Sequence, residues 1–365
     1  MVAPDTGATG TRARVADQSG LGGPLELRKE RQAVRHHPWI LLGIAVLAGL
    51  AVPLGYGGGA SLRLLWQVPW PLFALGPFLA LIAWNFSALR LRLMTLGRVR
   101  LGQREALATV MATECVVNAT PMGLAGPVAY ATLLSRHGLR SAEGAAIYTM
   151  DQLIDLTFFL ALIPIMAWWC PLWPPGLEFG AMMAVGLLLG LVLIAIAAVI
   201  RFRRILQWGN TLGGMTGVTP QARRRIGRFA LQFRRRIQEL MSIPRLRLLA
   251  IYVVCALQWV TRYSVLYVVL WGLNAPLAWA TVFLVQMVAL SAGQIGMLPG
   301  GAGVAEMGSA FLLSPYVAAP QLATALLLWR FSTYYWHLLA GAPVLLLLIG
   351  RHGVRNLQRR VSEGP

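Results

Sequence analysis

Lysine occurs once in this chain of 365 residues, at Lys29, and only 13 Asp and Glu stand against 32 Lys and Arg. Charged residues of all kinds make up 12% of the sequence and hydrophobic ones 57%, a balance outside that of ordinary soluble domains. With Arg, Ala, Gly and Pro abundant, the shortage of lysine reads as codon bias without a functional meaning. Cysteine is scarce too. Cys115, Cys170 and Cys255 form no CxxC pair and lie among apolar residues, which supports neither a disulfide framework nor a thiolate metal site. HExxH, GxSxG and P-loop patterns are missing, and the carboxylates make no DxD cluster, so no metal or cofactor is expected and catalysis is not the favoured reading. A signal-peptide cleavage pattern is also lacking: residues 1–36 are polar and glycine-rich, which predicts a disordered cytoplasmic tail.

The chain does have apolar runs able to cross a hydrocarbon core of ~30 Å. Six are continuous, at Trp39–Gly57, Leu72–Leu89, Ala145–Cys170, Phe179–Ile200, Leu248–Gly272 and Leu322–Ile349. Two more, Glu105–Leu134 and Leu277–Leu313, are broken midway by proline and glycine. The expected fold is an all-α, multi-pass membrane protein, with a membrane domain over residues 37–350 and a second cytoplasmic tail over 351–365.

Charge orients it. Arg28, Lys29, Arg31 and Arg35 precede the first span, and Arg90, Arg92, Arg98, Arg100 and Arg104 follow the second. Twelve arginines lie from Arg201 to Arg247, and Arg351, Arg355, Arg359 and Arg360 follow the last span, while the loops on the opposite side hold only Arg63. By the positive-inside rule both termini are cytoplasmic, the parity that six spans require, and the expected location is the cytoplasmic (inner) membrane. Trp66, Trp70, Trp168, Trp169, Trp173, Trp271 and Trp279 gather at the arginine-poor ends, as an interfacial belt does. The net charge of +19 therefore reports a membrane surface, and nucleic acid is excluded as a partner.

The cytoplasmic loop 201–247 has a pattern of its own. After Thr219-Pro220, a helix-start signal, Ile226, Phe229, Phe233, Ile237 and Leu240 recur at helical spacing among Arg223, Arg224, Arg225, Arg228, Arg234, Arg235 and Arg236. An amphipathic helix on the inner leaflet is expected, its arginines over anionic head groups, either as an anchor or to recruit a lipid.

The breaks are informative because unpaired backbone is costly in lipid, and irregular chain at membrane depth survives only inside protein or beside a polar cavity. In the first, "NATPMGLAGP" separates a helix carrying Glu114 and Asn118 from a short helix Val128–Ser135. In the second, "GMLPGGAG" separates Thr281–Ile295, which carries Gln294, from Val304–Leu313. Pro121 aligns with Pro299, Gly123 with Gly301 and Gly126 near Gly303, with Gly300 between. Arginines flank the first pair of half-helices and are missing around the second, so the two re-entrant hairpins enter from opposite sides and point at each other, the pattern of inverted-repeat transporters. The alternative makes each break a tight connection between full spans, giving eight crossings with unchanged parity.

"LPGGAGVAE", a following span with Arg330, and an upstream N-x-x-P…G break leading to "DQLID" together resemble the flippase-like transmembrane domain of lysylphosphatidylglycerol synthases and its stand-alone relatives in hopanoid and glycolipid pathways. The likeness covers about residues 37–350. It implies a lipid translocator for a phospholipid, aminoacylated lipid, glycolipid or polyprenyl-linked lipid. Where the family has Gly-Glu and then an arginine, this chain reads "GPVAY", placing Tyr130 at the arginine, and the usual Glu-Arg of the next span stands as Asp151-Gln152. Family members with synthase activity carry a further cytoplasmic domain, and none is read after the last span here.

Ionisable groups at bilayer depth cost ~2.5 kcal/mol or more on insertion scales and normally face a partner. Besides Glu114, they are Asp151, Asp155, Arg262, Glu306 and Arg330. Asp155 is expected to pair with Arg330 or Arg262. Glu306, in the first turn of its half-helix, is expected to cap that helix, bind a cationic group or carry a proton. His337 is expected on the face of Arg330, two turns on, as a satisfied interior histidine. Lipids with anionic or zwitterionic head groups, and a lipid-biosynthetic enzyme, are the expected partners. Three roles stay open: translocase, accessory scaffold, and membrane-embedded lipid transferase.

Overall fold

The computed structural model describes the backbone of residues 24–168 and 219–362 and, between them, scattered positions from Phe179 to Arg201; side chains are described from Ile40 to residue 350 with a few gaps. The sixth expected span, Phe179–Ile200, thus falls almost wholly outside the described residues, as do Trp169, Cys170, Trp173, most of loop 201–218 and the side chain of Arg223. Residues from Leu41 onward form one compact unit.

Eleven described helices follow in order: α1 Pro24–Gln67, α2 Trp70–Thr95, α3 Gln103–Ala119, α4 Gly126–Ser135, α5 Ser141–Trp168, α6 Pro220–Met241, α7 Arg245–Gly272, α8 Trp279–Ile295, α9 Val304–Leu313, α10 Ala319–Arg330 and α11 Trp336–Ser362. Among the described residues five stretches are long and apolar enough to cross a membrane, Ile40–Gln67, Trp70–Thr95, Ser141–Met166, Arg245–Gly272 and Ala319–Gly350, the last joining α10 and α11 through a π-helical turn, Phe331–Tyr335. Helix α1 begins within the segment expected to be a tail, because Pro24 suits a first helical position and Leu25 to Val34 are mostly strong helix formers. Helix α11 likewise runs past residue 350, into the other expected tail.

Helices α4 and α9 have 10 residues each, ~15 Å at 1.5 Å per residue, half of the membrane core. Eight full crossings are therefore excluded, and α3–α4 and α8–α9 are helical hairpins. In the first, α3 is ended by its proline, whereas in the second α8 already stops at an extended Gly296, ahead of Pro299. Thr120, before Pro121, is extended at φ −117° and ψ 144°, the conformation that a following proline imposes. The amides of Gly123 and Gly301 donate to the carbonyls of Thr120 and Leu298 at 3.1 Å each, so both breaks open with the same turn. Residues one and two past each proline share positive φ: Met122 52° and Gly123 66°, Gly300 62° and Gly301 64°. The inverted likeness thus extends to backbone angles. It fails at the third aligned pair, because Gly126 is the first residue of α4 whereas Gly303, at φ 83°, precedes α9.

The packing divides in the same way. One apolar core, around Trp84, Leu91, Met94, Tyr130, Leu134, Ile147 and Ile154, joins α2 to α5. Another, around Leu266, Phe283, Leu284, Ala305, Leu326 and Trp329, joins α7 to α10. Helix α7 runs beside α2 and contributes to both. At one end of the bundle Arg136, after α4, donates to the Leu348 carbonyl of α11, and Arg98, after α2, pairs with Glu239 of α6. At the other end Gln321, in the first turn of α10, donates to the Leu273 carbonyl that closes α7. The arginine-rich connections therefore share one end, and the flanks of the second hairpin share the opposite one.

Helix α6 departs from a helix lying wholly on lipid. Ile226, Phe229 and Leu231 are exposed, but Ile237 and Leu240 are buried, and Arg236, 6% exposed, donates to the Met94 carbonyl. Its last two turns are docked on the protein. Arg98, ahead of Arg236, hydrogen-bonds to Glu239 and holds that carboxyl below its ordinary 4.5. A depressed carboxylate contributes stability above its unfolded value and loses it as pH falls through the folded one. Accordingly, pepsin should cut the α6–α7 connection faster as pH drops below about 4.5. Glu239→Gln should show the same cleavage with trypsin at neutral pH, and an unchanged rate in both tests would dissociate Glu239 from the docking.

Candidate functional site

The two hairpin tips meet. Pro121 and Pro299 form an isolated antiparallel bridge, and since proline has no N–H the pairing rests on the amides beside them. Residues 178 apart in sequence thus lie side by side, and the prolines of the two breaks mark their contact.

Around this junction every described carboxylate within the bundle has an arginine. Glu114 of α3 pairs with Arg262 of α7 at 3.2 Å. Asn118, one turn on, donates to the Glu114 carbonyl at 2.8 Å, fixing the end of α3. Glu306 of α9 pairs with Arg330 of α10, with Nε–Oε1 2.6 Å and Nη2–Oε2 2.9 Å. Nη1 of Arg330 donates to the Gly300 carbonyl and Nη2 also to the Gly301 carbonyl, at 3.2 Å each. One arginine therefore ties the second hairpin's tip, its returning helix and the following span.

Asp151 and Asp155 share Arg90 of α2, whose Nε is 2.7 Å from Asp151 and whose Nη1 bonds Asp155. The Trp259 indole adds a bond to Asp155 at 2.7 Å. Arg90 is 2% exposed and lies inside α2, not in the loop where the charge count put it. Leu91, Leu93 and Met94 continue the apolar run past Arg90, a signal that a longer hydropathy window would catch. Asp155 consequently pairs with neither Arg330 nor Arg262.

Two further expectations are corrected. Glu306 makes no helix-capping bond and is fully buried against Arg330, so it is a structural tie and not a free ligand group. His337 does not share the face of Arg330, because the wider π turn between them rotates less per residue than two α turns would. It stands edge-on to Trp84 of α2, and its Nδ1 has no hydrogen-bond partner among the described residues.

A cavity of about 140 Å³ opens at the junction. The first hairpin lends Glu114, Val117, Asn118, Met122 and Gly123; the second lends Leu290, Gln294, Gly300 and Gly301. Trp259, Arg262 and Tyr263 come from α7, and Trp329, Arg330 and Thr333 from the last span. Of the sequence candidates, Pro121, Gly126, Asp151, Asp155, Pro299, Gly303 and Glu306 stay behind its walls. Trp259, Trp329 and Thr333 enter without having been singled out, since nothing in their local sequence marks them. Small residues let the tips close up: a Cβ on Gly301 would lie 2.8 Å from the Gly293 Cα, and one on Gly126 2.7 Å from Val117. The result is a hollow of mixed polar and apolar lining that presents two guanidinium groups, one carboxylate and two amides.

Long apolar helices, opposed hairpins with matching tips and a charged hollow between them define a multi-pass helical membrane protein with an internal polar site. Residues 40–341 match the family model for the lysylphosphatidylglycerol synthase TM region, and the chain belongs to that family, a membrane domain of lipid-related proteins. It is similar to a UPF0104 membrane protein of Archaeoglobus fulgidus, 22% identical over 319 residues that cover 82% of this chain and 94% of that protein. An uncharacterized protein of Synechocystis sp. is 37% identical over 91 residues, 25% of this chain and 28% of that protein.

Proposed function

We propose that the chain is a lipid translocase of the cytoplasmic membrane, passing a phosphate-bearing head group between leaflets by way of the hollow where the hairpin tips meet. The observation that carries this reading is the hollow itself: it joins the ends of two hairpins that approach from opposite sides, and it is lined by Glu114, Arg262 and Arg330. Arg262 presents a planar fork suited to a phosphate oxygen pair, and Glu114 is the carboxylate that holds this fork until a competing anion arrives. Arg330 cannot be released in the same way, because it also carries Glu306 and two carbonyls. The exchangeable pair is thus Glu114–Arg262, about a fifth exposed on each side chain, and the fixed pair is Glu306–Arg330.

Size limits what this conformation holds. At ~30 Å³ per water, 140 Å³ takes on the order of five waters or one phosphate group, not a whole lipid head. Passage therefore requires the tips to part at Pro121 and Pro299, opening one side while the other stays closed.

The test is leaflet exchange of fluorescent phosphatidylglycerol and of an aminoacylated analogue in proteoliposomes, read by quenching of the outer leaflet. Wild-type protein should allow quenching well past half. Arg262→Gln should slow exchange at least about tenfold, the loss of one charge-assisted contact of ~1.5–3 kcal/mol, with the protein still folded. Quenching that stops at half for every lipid class, with an enzyme or pathway protein co-purifying, would instead favour the accessory-scaffold role. A chemically altered lipid after incubation would favour the transferase.

A further inference from the structure

A second charged hollow, of about 340 Å³, lies at the arginine-rich end of the bundle, away from the hairpin junction. Three separate elements wall it. Arg98 comes from the turn after α2, Arg140 and Glu143 from the residue before α5 and from its first turn, and Arg235, Arg236 and Glu239 from α6. Four guanidinium groups thus surround two carboxylates, a formal excess of two positive charges in one concave site.

The distribution of partners sharpens that excess. Glu239 serves three arginines, with Arg98 at 3.0 Å, Arg236 at 3.1 Å and Arg235 at 3.4 Å. Glu143 lies 3.7 Å from Arg98 and otherwise accepts a bond from the backbone amide of Arg140. Among the described residues the Arg140 guanidinium has no carboxylate partner. Arg236 is buried and held by the Met94 carbonyl, so one wall of the hollow is a fixed cation and not a mobile surface side chain. Cations gathered round a shared carboxylate repel one another, and an anion bound among them relieves that repulsion.

We propose that this hollow is a phosphate-binding site, taking the phosphate of a lipid head group or of a free phosphate ester. Guanidinium forks match phosphate oxygens two by two, which ammonium groups do not, and this chain supplies only arginine here. The docked end of α6 builds the site, while its other half exposes Ile226, Phe229 and Leu231, the kind of apolar surface that sits among acyl chains. That juxtaposition favours the lipid over the free ester. The inference does not depend on transport, because the site would hold phosphate whether or not the lipid is moved.

The experiment uses the full-length protein in a non-ionic maltoside detergent, titrated calorimetrically with mixed micelles containing phosphatidylglycerol or diacylglycerol and, separately, with inorganic phosphate and glycerol 3-phosphate. Arg140→Gln/Arg235→Gln is compared with Arg100→Gln/Arg104→Gln, which removes the same charge from exposed positions between α2 and α3 and at the start of α3, outside the hollow. Saturable binding of phosphatidylglycerol micelles, weakened at least tenfold in the first variant and under threefold in the second, is the expected result. Binding of glycerol 3-phosphate with the same dependence on Arg140 and Arg235 identifies the free ester as a ligand, and its lack of binding assigns the site to lipid. Equal weakening in the two variants, or no phosphatidylglycerol binding by the wild type, overturns the proposal. Should the double variant unfold, Arg140→Gln alone decides, since this side chain has no ion pair to lose: wild-type affinity there also overturns it.

Discussion

Arg330→Ala lowers the stability of the folded protein by about 3–5 kcal/mol, the cost of leaving a buried charge unpaired. Glu306 and Arg330 are 1% and 3% exposed as side chains, so water cannot replace the lost partner. The substitution also strips donors from the Gly300 and Gly301 carbonyls at the tip of the second hairpin, and such orphaned groups have no solvent to turn to at membrane depth. Unfolding followed by heating in detergent should show the loss directly. Arg330→Lys should recover only part of it, because an ammonium cannot span Glu306 and two carbonyls in the fork geometry of Arg330. Glu306→Gln leaves Arg330 its carbonyl bonds and a neutral amide partner, and should cost less than Arg330→Ala. If Arg330→Ala melts within about 1 kcal/mol of wild type, the pair is not the tie described here.

Gly301→Ala destabilises by more than about 3 kcal/mol, through two causes that a companion variant separates. The first is backbone: φ is +64° at Gly301, where an L side chain costs ~1–2 kcal/mol. The second is space, since the new Cβ would fall 2.8 Å from the Gly293 Cα and 2.9 Å from its carbonyl group, backbone that cannot swing aside. Gly97 has the backbone cause without the second, with φ +94° and open space around it. Gly97→Ala should therefore cost only the backbone part, and the difference between the two melting curves measures how tightly α8 and the second tip are pressed together. Equal losses at the two positions would mean that the second hairpin relaxes to accept a methyl group.

Both effects lie in parts of the chain that the sequence marks unevenly. The break "GMLPGGAG" was visible at once, because proline and glycine inside an apolar run have few other uses, and its helices end within two residues of where the pattern puts them. The charge asymmetry separated the flanks of the two hairpins, and their side-chain bonds lie at opposite ends of the bundle. Arg90 shows where that kind of reading stops. It stands in "ALRLRLMTL", where it and Arg92 look alike, yet Arg90 is buried on Asp151 and Asp155 while Arg92 bonds to the Leu101 carbonyl and Gln103. Two residues along a helix are about 200°, just over half a turn, apart in direction, so the same local sequence offers one arginine to the bundle and the other to the turn after α2. Glu306 was conspicuous for the wrong reason. Its place in a first helical turn suggested a cap, but Arg330, 24 residues on, lies against it and outweighs the helix end.

By itself the sequence determined that this is a multi-pass helical membrane protein, where five of its long apolar stretches lie, where two further ones break, and which connections share a side. Those properties follow from hydropathy, proline and glycine chemistry and the placement of arginine, all of which act locally or along the membrane normal. Only the tertiary structure decided that Glu114 meets Arg262, that Arg90 holds two carboxylates, that the tips touch at Pro121 and Pro299, and that a polar hollow opens beside them. Each of these depends on the depth and rotation of one helix against others distant in sequence. Depth and rotation are set by how side chains such as Leu266, Tyr263 and Trp84 pack across the bundle, which no single segment specifies.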